Sequence, residues 1–358
     1  MKSKKIILIS TLILLSIFIS SCSSTIYAST GWHGLTASSD VAYLAAGNQV
    51  YAVDLKTGTE KWRYPDKVNT KVAFYANPVL TEDGQLLLPG YDHKLYSINP
   101  GTKAENWIFS GSTNRLVASP LATQNMIFQP SSDGKVYAID MSGNQVWVQD
   151  TGAPIWAQPA TDPNCKCIYV ASMDHKIYSF DAATGRELWV SEDLKGAIVG
   201  SPAVSADGTL YVGTFNKEMI AIDTKNNGVI SKRFTTQDWV WAGPVLVDNV
   251  LYFGDLSGYF YALNASDLTA LWRIQRPNAI VDTPAVAGDN LYFTTETDAL
   301  AIVSTAGDFV SSPIIGGVIY SAPLFVGDTI LVAPTGFTSL LVALDLNGTQ
   351  KWPFTPAK

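Results

Sequence analysis

The stretch "AVDLKTGTEKW" at residues 52–62 contains two strand-like halves around a tight turn. Asp54 and Thr57 can hydrogen-bond the amides of such a turn, and Gly58 can adopt the positive φ that it requires. Trp62 then places a large flat ring on the strand that follows. One copy of this stretch predicts only a β-hairpin, so the fold is decided by how often it recurs.

The pattern occurs eight times along the chain. The later copies are "SINPGTKAENW", "AIDMSGNQVW", "SFDAATGRELW", "AIDTKNNGVIS", "ALNASDLTALW", "AIVSTAGDFVS" and "ALDLNGTQKW". Their third positions are Asp54, Asn99, Asp140, Asp181, Asp223, Asn264, Val303 and Asp345. Steps of 39 to 45 residues match the period of propeller blades.

Each copy ends a longer unit of the same layout. Unit five begins "GAIVGSPAVSADGTLYVGTFNKEMIAID", which contains an apolar run into Pro202, a turn at Asp207 and Gly208, a strand, a second turn and the strand leading to Asp223. With the segment after the motif, the unit contains four short strands. The sequence therefore predicts an all-β fold, an eight-bladed β-propeller of four-stranded antiparallel blades over residues 31–358. A β-sandwich competes with this fold but does not predict the regular period.

The pattern Ala-x-Asp-x-x-Thr-Gly-x-x-x-Trp resembles the tryptophan-docking motif of the PQQ-type β-propellers. Unit one matches it in full, whereas units five and seven have Ser231 and Ser311 in place of the tryptophan. The resemblance implies that each docking indole buries against the neighbouring blade. The docking residues are then Trp62, Trp107, Trp147, Trp189, Trp272 and Trp352.

The PQQ-type family includes both quinoprotein dehydrogenases and cofactor-free scaffolds. The dehydrogenases are associated with an adjacent cysteine pair, calcium ligands and a catalytic aspartate, but here Lys166 separates Cys165 from Cys167. This Cys-x-Cys pair is either an unusual tight disulfide or two free thiols. The motif aspartates are most simply turn residues. We therefore expect no PQQ or other cofactor, no metal site and no catalytic residue.

The three histidines do not suggest catalysis either. His93 and His175 take the place of Gly134 in equivalent hairpin turns, and His33 stands alone in "GWHG". Turn chemistry therefore explains two of them, and the third has no Ser or Cys partner in sequence.

Residues 1–21 have the three-part layout of an export signal, with Lys2, Lys4 and Lys5 before an apolar run at residues 6–19. The run is too short to cross a bilayer as a helix. "ISSC" at residues 19–22 resembles the lipobox of bacterial lipoproteins, which implies cleavage before Cys22 and diacylglycerol on its thiol. Residues 22–30 would then form a lipidated tether. An ordinary secretory signal with an incidental cysteine is the alternative.

The charge of the chain argues against nucleic acid as a partner. Its formal net charge is −7, and loss of the three signal lysines would bring it to about −10. Anionic lipid is disfavoured for the same reason, so attachment to a membrane would depend on acyl chains. We expect a protein outside the cytoplasm, on the periplasmic face of an outer membrane or on the cell surface.

Aromatic residues recur three positions before a proline that most units share. These positions are Trp32, Tyr75, Val117, Trp156, Val199, Trp241, Val281 and Tyr320. They are expected to ring the central channel, either as packing between blades or as a funnel that accepts a peptide loop or strand. The candidate partner-binding residues are Trp32, Tyr75, Trp156, Trp239 and Trp241, and Trp239 with Trp156 is the pair we expect to be exposed.

These observations predict a non-enzymatic, monomeric propeller scaffold that binds other envelope proteins. Within the family the chain is similar to the BamB-type lipoproteins, which implies a role in outer-membrane protein assembly. One alternative is a small quinoprotein or sugar-active enzyme, for which Arg115, Asp238 and Asp282 would have to converge on the channel. The other is a surface module that binds carbohydrate or another small ligand through the aromatic ring. How the terminal units close the ring is left open by the sequence.

Overall fold

The computed structural model describes residues 31–162 and 164–357. The predicted signal segment at residues 1–21, Cys22 and the predicted tether at residues 22–30 lie outside the described residues.

The described chain consists of short strands, four to each repeat unit. Blades one to four contain β1 Gly34–Ala37, β2 Val41–Ala46, β3 Gln49–Asp54, β4 Glu60–Tyr64, β5 Val79–Leu80, β6 Leu86–Pro89, β7 Leu95–Ile98, β8 Glu105–Phe109, β9 Leu121–Ala122, β10 Met126–Pro130, β11 Lys135–Asp140, β12 Gln145–Asp150, β13 Ala160–Asp162, β14 Cys167–Ala171, β15 Ile177–Asp181 and β16 Glu187–Val190.

Blades five to eight repeat the same order. They contain β17 Ala203–Val204, β18 Thr209–Thr214, β19 Glu218–Asp223, β20 Val229–Thr235, β21 Val245–Val247, β22 Val250–Gly254, β23 Tyr259–Asn264, β24 Ala270–Gln275, β25 Ala285–Ala287, β26 Asn290–Thr294, β27 Leu300–Ser304, β28 Phe309–Ser311, β29 Leu324–Val326, β30 Thr329–Val332, β31 Leu341–Asp345 and β32 Gln350–Phe354. A single 3₁₀ turn at Thr224–Asn226 interrupts this pattern within the described residues.

Every sheet is an antiparallel meander of four consecutive strands, and eight such sheets are present in the described chain. Buried apolar clusters join each blade to the next, so the core lies between blades rather than at one centre. The innermost strands of neighbouring blades also approach one another around the channel. The prediction of an all-β, eight-bladed propeller is confirmed.

Blades eight and one close the ring by side-chain packing. The indole Nε1 of Trp352 donates a hydrogen bond of 2.9 Å to the Leu55 carbonyl, and the rings of Tyr51 and Phe354 lie 5.6 Å apart. Both terminal blades use their own four strands, so no strand is exchanged between the two ends of the propeller.

The motif aspartates act as turn residues. Asp54 Oδ1 accepts hydrogen bonds from the amides of Lys56 and Thr57 and from the Thr57 hydroxyl. The bonds from Thr57 lower the pKa of this carboxyl below its usual value. Asp181 has the same set of contacts in unit four.

Each docking tryptophan contacts the motif turn of the following blade. Five indole N–H groups donate to the carbonyl one position after the motif aspartate or its equivalent, over 2.9 to 3.1 Å: Trp62 to Pro100, Trp107 to Met141, Trp147 to Ala182, Trp272 to Thr305 and Trp352 to Leu55. We call these contacts the tryptophan seams. The motif of one unit therefore receives the tryptophan of the unit before it.

The motif glycine explains how the indole fits. A Cβ on Gly185, which has a φ of 72°, would lie 2.6 Å from Cδ2 of Trp147. Gly58, Gly143, Gly228 and Gly307 likewise face Trp352, Trp107, Trp189 and Trp272. At these five turns glycine adopts the positive φ readily, and it also leaves the space that the preceding indole occupies. In unit two, Lys103 holds the equivalent position with a φ of 64°.

Unit five departs from the sequence-based alignment. The strand register pairs Ala221 with Lys232, so Lys232 and not Ser231 holds the docking position. The 3₁₀ turn at Thr224–Asn226 adds the extra residue. We call the carbonyl one position after the motif aspartate, or its equivalent, the seam carbonyl. In unit six this is the carbonyl of Ala265, and it accepts a 2.9 Å hydrogen bond from the Tyr211 hydroxyl of blade five instead of from an indole. In the receiving turn of unit six, buried Leu268 has a φ of 58° at the position where most units have glycine and unit two has Lys103.

Unit seven is also shifted, because the residue equivalent to Asp54 is Ser304 rather than Val303. Ser304 closes the motif turn with Asp308, and Ile302 pairs with Ser311 at the docking position. The Tyr292 hydroxyl donates a 3.0 Å hydrogen bond to the seam carbonyl of Leu346. A Cβ on Gly348 would meet Pro313 at 2.6 Å, so proline packs where an indole packs elsewhere. We call the hydrogen bonds from Tyr211 to Ala265 and from Tyr292 to Leu346 the tyrosine seams.

The connections divide the propeller into two faces. On one, which we call the loop face, the turn between the second and third strands bonds to the segment entering the same blade, as in Tyr91 N to Ala73 O and Leu256 N to Trp239 O. On the opposite turn face, the first turn of a blade contacts its motif turn, as in Leu55 N to Asp40 O. Among the described residues, no helix is long and apolar enough to span a membrane.

Candidate functional site

All of the candidate partner-binding aromatics lie on segments that enter a blade across the loop face. The strongest grouping is the blade-six aromatic cluster, which consists of Phe215, Trp239 and Trp241. The Phe215 ring stacks on Trp239 with centroids 4.9 Å apart and planes 10° apart, and it lies 5.3 Å from Trp241. Trp239 and Trp241 remain 44% and 37% exposed. The cluster therefore presents indole surface to solvent while a third ring supports it.

A buried carboxylate holds the backbone under this cluster. Asp255 is fully buried, and its Oδ2 accepts hydrogen bonds from the Asp238 amide at 3.1 Å and the Tyr261 hydroxyl at 2.8 Å. The Val240 amide is bonded to the Thr214 carbonyl at 3.2 Å. Because its backbone is fixed on both sides of Trp239, the segment is organised before any partner arrives.

A second grouping, the blade-two aromatic cluster, consists of Trp32, Tyr75 and Tyr91. Tyr75 lies between the other two rings, 5.9 Å from Trp32 and 4.7 Å from Tyr91, and Trp32 is 40% exposed. The Arg115 guanidinium stands 5.5 Å from the Tyr91 centroid. Burial raises the pKa of Tyr91 to about 12, so its hydroxyl stays protonated at neutral pH.

Trp156 is not part of either cluster. It is half-buried on the segment entering blade four, and its Nε1 donates to the Ser132 hydroxyl over 3.2 Å. The structure therefore brings Trp239 together with Trp241 and Phe215, whereas Trp156 is held by blade three.

Sequence reasoning missed three residues of the loop face. Phe215 lies on a hairpin turn of blade five, remote in sequence from the indoles that it supports. Ile314 and Phe337 are 77% and 46% exposed beside blade eight, near Tyr320 in sequence and across the Val318–Thr335 bridge. A search for apolar residues in every connection on this face, and not only before the prolines, would have found them.

The central channel has a polar lining. A cavity of about 390 Å³ opens between the inner strands, lined in part by Leu35, Asn77, Ser119 and Gln158. Side chains beside it join neighbouring blades, as in Leu35 N to Asn77 Oδ1 at 3.0 Å and Gln158 N to Ser201 Oγ at 3.1 Å. These bonds stabilise the ring at its centre.

Asp282 belongs to the same set of contacts. Its carboxylate accepts 2.6 Å hydrogen bonds from the Thr283 amide of its own blade and the Ala322 amide of blade eight. Burial raises its pKa to about 6, although the two amide bonds act in the opposite direction. Asp282 is thus engaged in joining two blades.

The three charged residues named as a possible catalytic set have separate partners. Arg115 lies over Tyr91, Asp238 pairs with Lys217 at 3.3 Å, and Asp282 binds backbone amides. In residues 31–162 and 164–357, no group of three or more His, Cys, Asp or Glu side chains is arranged to hold a metal ion. The feature of the described chain with the most evident binding capacity is therefore the exposed aromatic surface of the loop face.

Comparison with known proteins gives concordant matches. The family model described as outer membrane protein assembly factor BamB matches residues 46–189 and 173–312. The BamB proteins of Moranella endobia and Shewanella oneidensis are 22% identical over 275 residues and 25% identical over 232 residues. These alignments cover 72% and 62% of this chain, and 68% and 58% of the two relatives.

Solved structures share the fold. The crystal structure of BamB from Moraxella catarrhalis superposes with a TM-score of 0.72 at 15% identity, over 84% of this chain and 92% of that one. The computationally designed Ika8 protein gives a TM-score of 0.73 at 15% identity, over 90% and 95% of the two chains. Since the family model matches more than half of the sequence, the chain belongs to the PQQ-type repeat family described by outer membrane protein assembly factor BamB.

Proposed function

We propose that this protein is a non-enzymatic, lipid-anchored propeller that works outside the cytoplasm as a scaffold in outer-membrane protein assembly. Its partner is another envelope protein, which it binds as a monomer through the loop face. Membership of a family described by an outer-membrane assembly factor supports the process. The contact itself is argued from the surface of this chain.

The blade-six aromatic cluster is the observation that carries the proposal. Two neighbouring indoles remain more than a third exposed although a third ring and a buried carboxylate fix their position. Tryptophan is enriched at the energetic centres of protein interfaces because it buries a large area with little loss of side-chain freedom. A preorganised pair therefore favours binding of an apolar segment of a protein.

The polar groups beside the indoles are consistent with the same role. Lys217 and Asp238 form an ion pair at the edge of the cluster, where a partner's backbone would meet charged and polar groups around an apolar centre. The proposed partner segment is accordingly apolar at its centre and polar at its ends.

Site-specific photocrosslinking in intact cells tests this contact. A photoreactive phenylalanine analogue replaces Trp239 or Trp241 in the full chain, and the matched control places it at Leu271, which is 53% exposed on the outer strand β24. We expect a discrete adduct at 239 and 241 that contains an outer-membrane assembly component, and at least tenfold less of it at 271. Equal adducts at all three positions, or none at the indoles, would contradict the proposal.

Two further experiments address the anchor and the enzymatic alternative. Cys22→Ser is expected to abolish incorporation of labelled fatty acid and to release the protein from membranes, whereas retention of label would exclude lipidation at Cys22. Titration with PQQ and Ca²⁺, followed by tryptophan fluorescence and cofactor absorbance, is expected to show no saturable binding. Saturable binding in the micromolar range would instead revive a dehydrogenase-like role.

A further inference from the structure

Cys165 and Cys167 form a disulfide in the first turn of blade four, on the turn face. Their Cα atoms lie 5.2 Å apart with one residue between them. The two cysteines differ in environment, because Cys165 is exposed in the turn whereas Cys167 is 2% exposed at the start of β14. An external thiol can therefore reach one sulfur and not the other.

The blade does not need this bond to hold its turn. β13 and β14 already pair through three residues on each side, with Asp162 opposite Cys167 at the end of the ladder. A disulfide stabilises a fold mainly by restricting the unfolded chain, and that effect is smallest when it closes a very short loop. With a sequence separation of two, this bond restricts little that the chain does not already restrict.

The contacts of Cys165 also suit exchange. Its Sγ lies 3.5 Å from the Tyr169 hydroxyl, and Tyr169 is 1% exposed, so the phenol is fixed beneath the sulfur. The intervening Lys166 is exposed and places a positive charge in the same turn. The sulfur that an incoming thiolate would attack thus lies beside a hydroxyl and one residue from an exposed cation, which attracts an anionic thiolate of a partner.

We propose that the Cys165–Cys167 disulfide is a thiol–disulfide exchange site that accepts electrons from a dithiol on another protein. A partner thiolate attacks Cys165 Sγ, the Cys165–Cys167 bond breaks, and the electron pair leaves on Cys167 as a thiolate. The partner's second thiolate then attacks the partner's sulfur atom in the mixed disulfide, and the Cys165 thiolate leaves. The partner dithiol is oxidised by two electrons, the cysteine pair is reduced by two, and the protons of the partner thiols pass through solvent to the cysteines.

The site is independent of the proposed scaffold role, because it lies on the face opposite the aromatic clusters. A negative crosslinking result would therefore not contradict the exchange site, and a negative exchange result would not contradict the scaffold role. The full chain carrying Cys22→Ser is the appropriate material, since it contains only the two cysteines in question.

Equilibration with glutathione buffers, followed by trapping of thiols with a maleimide of high mass, measures whether the disulfide is exchangeable. We expect the reduced fraction to rise from about a tenth to about nine tenths over a roughly hundredfold range of [GSH]²/[GSSG], as for a two-electron couple within reach of glutathione. A pair that stays oxidised at the highest glutathione concentration would overturn the proposal, because it would be a structural disulfide.

Single variants identify the attacked sulfur. Cys167→Ser leaves the Cys165 thiol, which we expect to form a mixed disulfide with 5,5′-dithiobis(2-nitrobenzoate) at least tenfold faster than the Cys167 thiol of Cys165→Ser. Equal rates, or faster reaction at Cys167, would overturn the assignment. If either variant fails to fold, brief reduction of the unmutated pair followed by limiting iodoacetamide and peptide mass spectrometry gives the same answer, with Cys165 alkylated first.

Discussion

The tryptophan seams and the tyrosine seams solve the same packing problem with different residues. In both, a donor from one blade reaches the carbonyl one position after the motif aspartate, or its equivalent, of the next blade. The donor is an indole N–H from the fourth strand in five seams, such as Trp147 to Ala182 O. In the seams after blades five and seven it is a phenol from the second strand, Tyr211 or Tyr292. In these seven seams the fold preserves the satisfied carbonyl rather than the tryptophan, whereas after blade four Trp189 packs on Gly228 without this hydrogen bond in the described chain.

The difference extends to the space beside the carbonyl. In most tryptophan seams a glycine such as Gly185 leaves room for the indole in the receiving turn. Where Trp62 docks, Lys103 holds that position with a φ of 64°. A tyrosine seam leaves that space to be filled, and Leu268 or Pro313 fills it. The receiving turn does not follow the donor strictly, since Lys103 receives an indole and Gly348 lies in a tyrosine seam. Where a glycine faces an indole, as at Gly185, substitutions on one side of the seam depend on the other side.

The largest effect is expected from removing a buried docking indole. Trp147→Ala should lower the free energy of unfolding by about 3–5 kcal/mol, because Trp147 is buried between blades three and four. Lys232→Ala, at the equivalent position of a tyrosine seam, should change it by less than about 0.5 kcal/mol, since Lys232 is exposed. Urea unfolding followed by circular dichroism measures both. Similar losses in the two variants would show that the docking position matters equally in both seam types.

A pH dependence should mark the contact beside the channel between blades seven and eight, the two blades that the Tyr292 seam also joins. Because burial raises the pKa of Asp282 to about 6 from 3.8, the folded state binds a proton there more tightly than the unfolded chain. Stability from this group is therefore present below about pH 3.8 and is lost as the pH rises through about 6, by about 3 kcal/mol in total. Between about pH 4 and pH 7, the unfolding free energy of the unmodified protein should therefore fall by about 2–2.5 kcal/mol relative to that of Asp282→Asn.

Ser201→Ala provides the control for this titration. Ser201 makes the corresponding contact between blades four and five with an uncharged hydroxyl, so its loss should lower stability equally at both pH values. The unmodified protein also contains buried His33, whose pKa burial lowers to about 4, but both variants retain it. An Asp282→Asn variant with the same pH profile as the unmodified protein would show that Asp282 is ionised normally in the folded state.

The sequence was sufficient to predict the architecture because the motif turn, its spacing and the preceding strands are local patterns. It did not predict the tyrosine seams. Tyr43, Tyr169 and Tyr252 occupy the position of Tyr211 in blades that do have a tryptophan, so tyrosine there is no signal of substitution. The register of unit five was missed for a related reason, since the 3₁₀ turn that moves Lys232 into place differs from other turns by one residue only.

The candidate site was predictable to a similar degree. Trp239 and Trp241 are close in sequence and on one face, and they lie together in the structure. The expected pairing of Trp239 with Trp156 could not be judged from sequence, because it depends on which blade each loop contacts. Phe215 was missed because its contact with the indoles joins two separate connections of the loop face, which no local pattern reveals.

Substitution of a motif glycine should separate the backbone requirement from the indole contact. Gly185→Ala should lower the free energy of unfolding by about 2–3 kcal/mol, because a φ of 72° is unfavourable for alanine and its Cβ would meet the Trp147 ring. Gly84→Ala has a similar φ of 85° with nothing within 4 Å, so it should cost about 1 kcal/mol. Thermal and urea unfolding of the two variants gives the difference, and equal losses would show that the turn accommodates a methyl group under the indole.

The smallest expected effect tests the central claim, that a phenol replaces the indole donor. Tyr211→Phe removes only the hydroxyl and leaves the buried Ala265 carbonyl without its partner, so the unfolding free energy should fall by about 1 kcal/mol. Tyr252→Phe is the matched control, because Trp272 already serves the corresponding carbonyl of Thr305 in that seam, and it should change stability by less than about 0.5 kcal/mol. Paired urea titrations with replicate error below about 0.3 kcal/mol can resolve this difference. If the two variants are equally stable, the Tyr211 hydroxyl contributes no net stability, and the packing of Leu268 alone stabilises the seam. If only Tyr211→Phe is less stable, the seam carbonyl requires a hydrogen-bond donor, whichever residue supplies it.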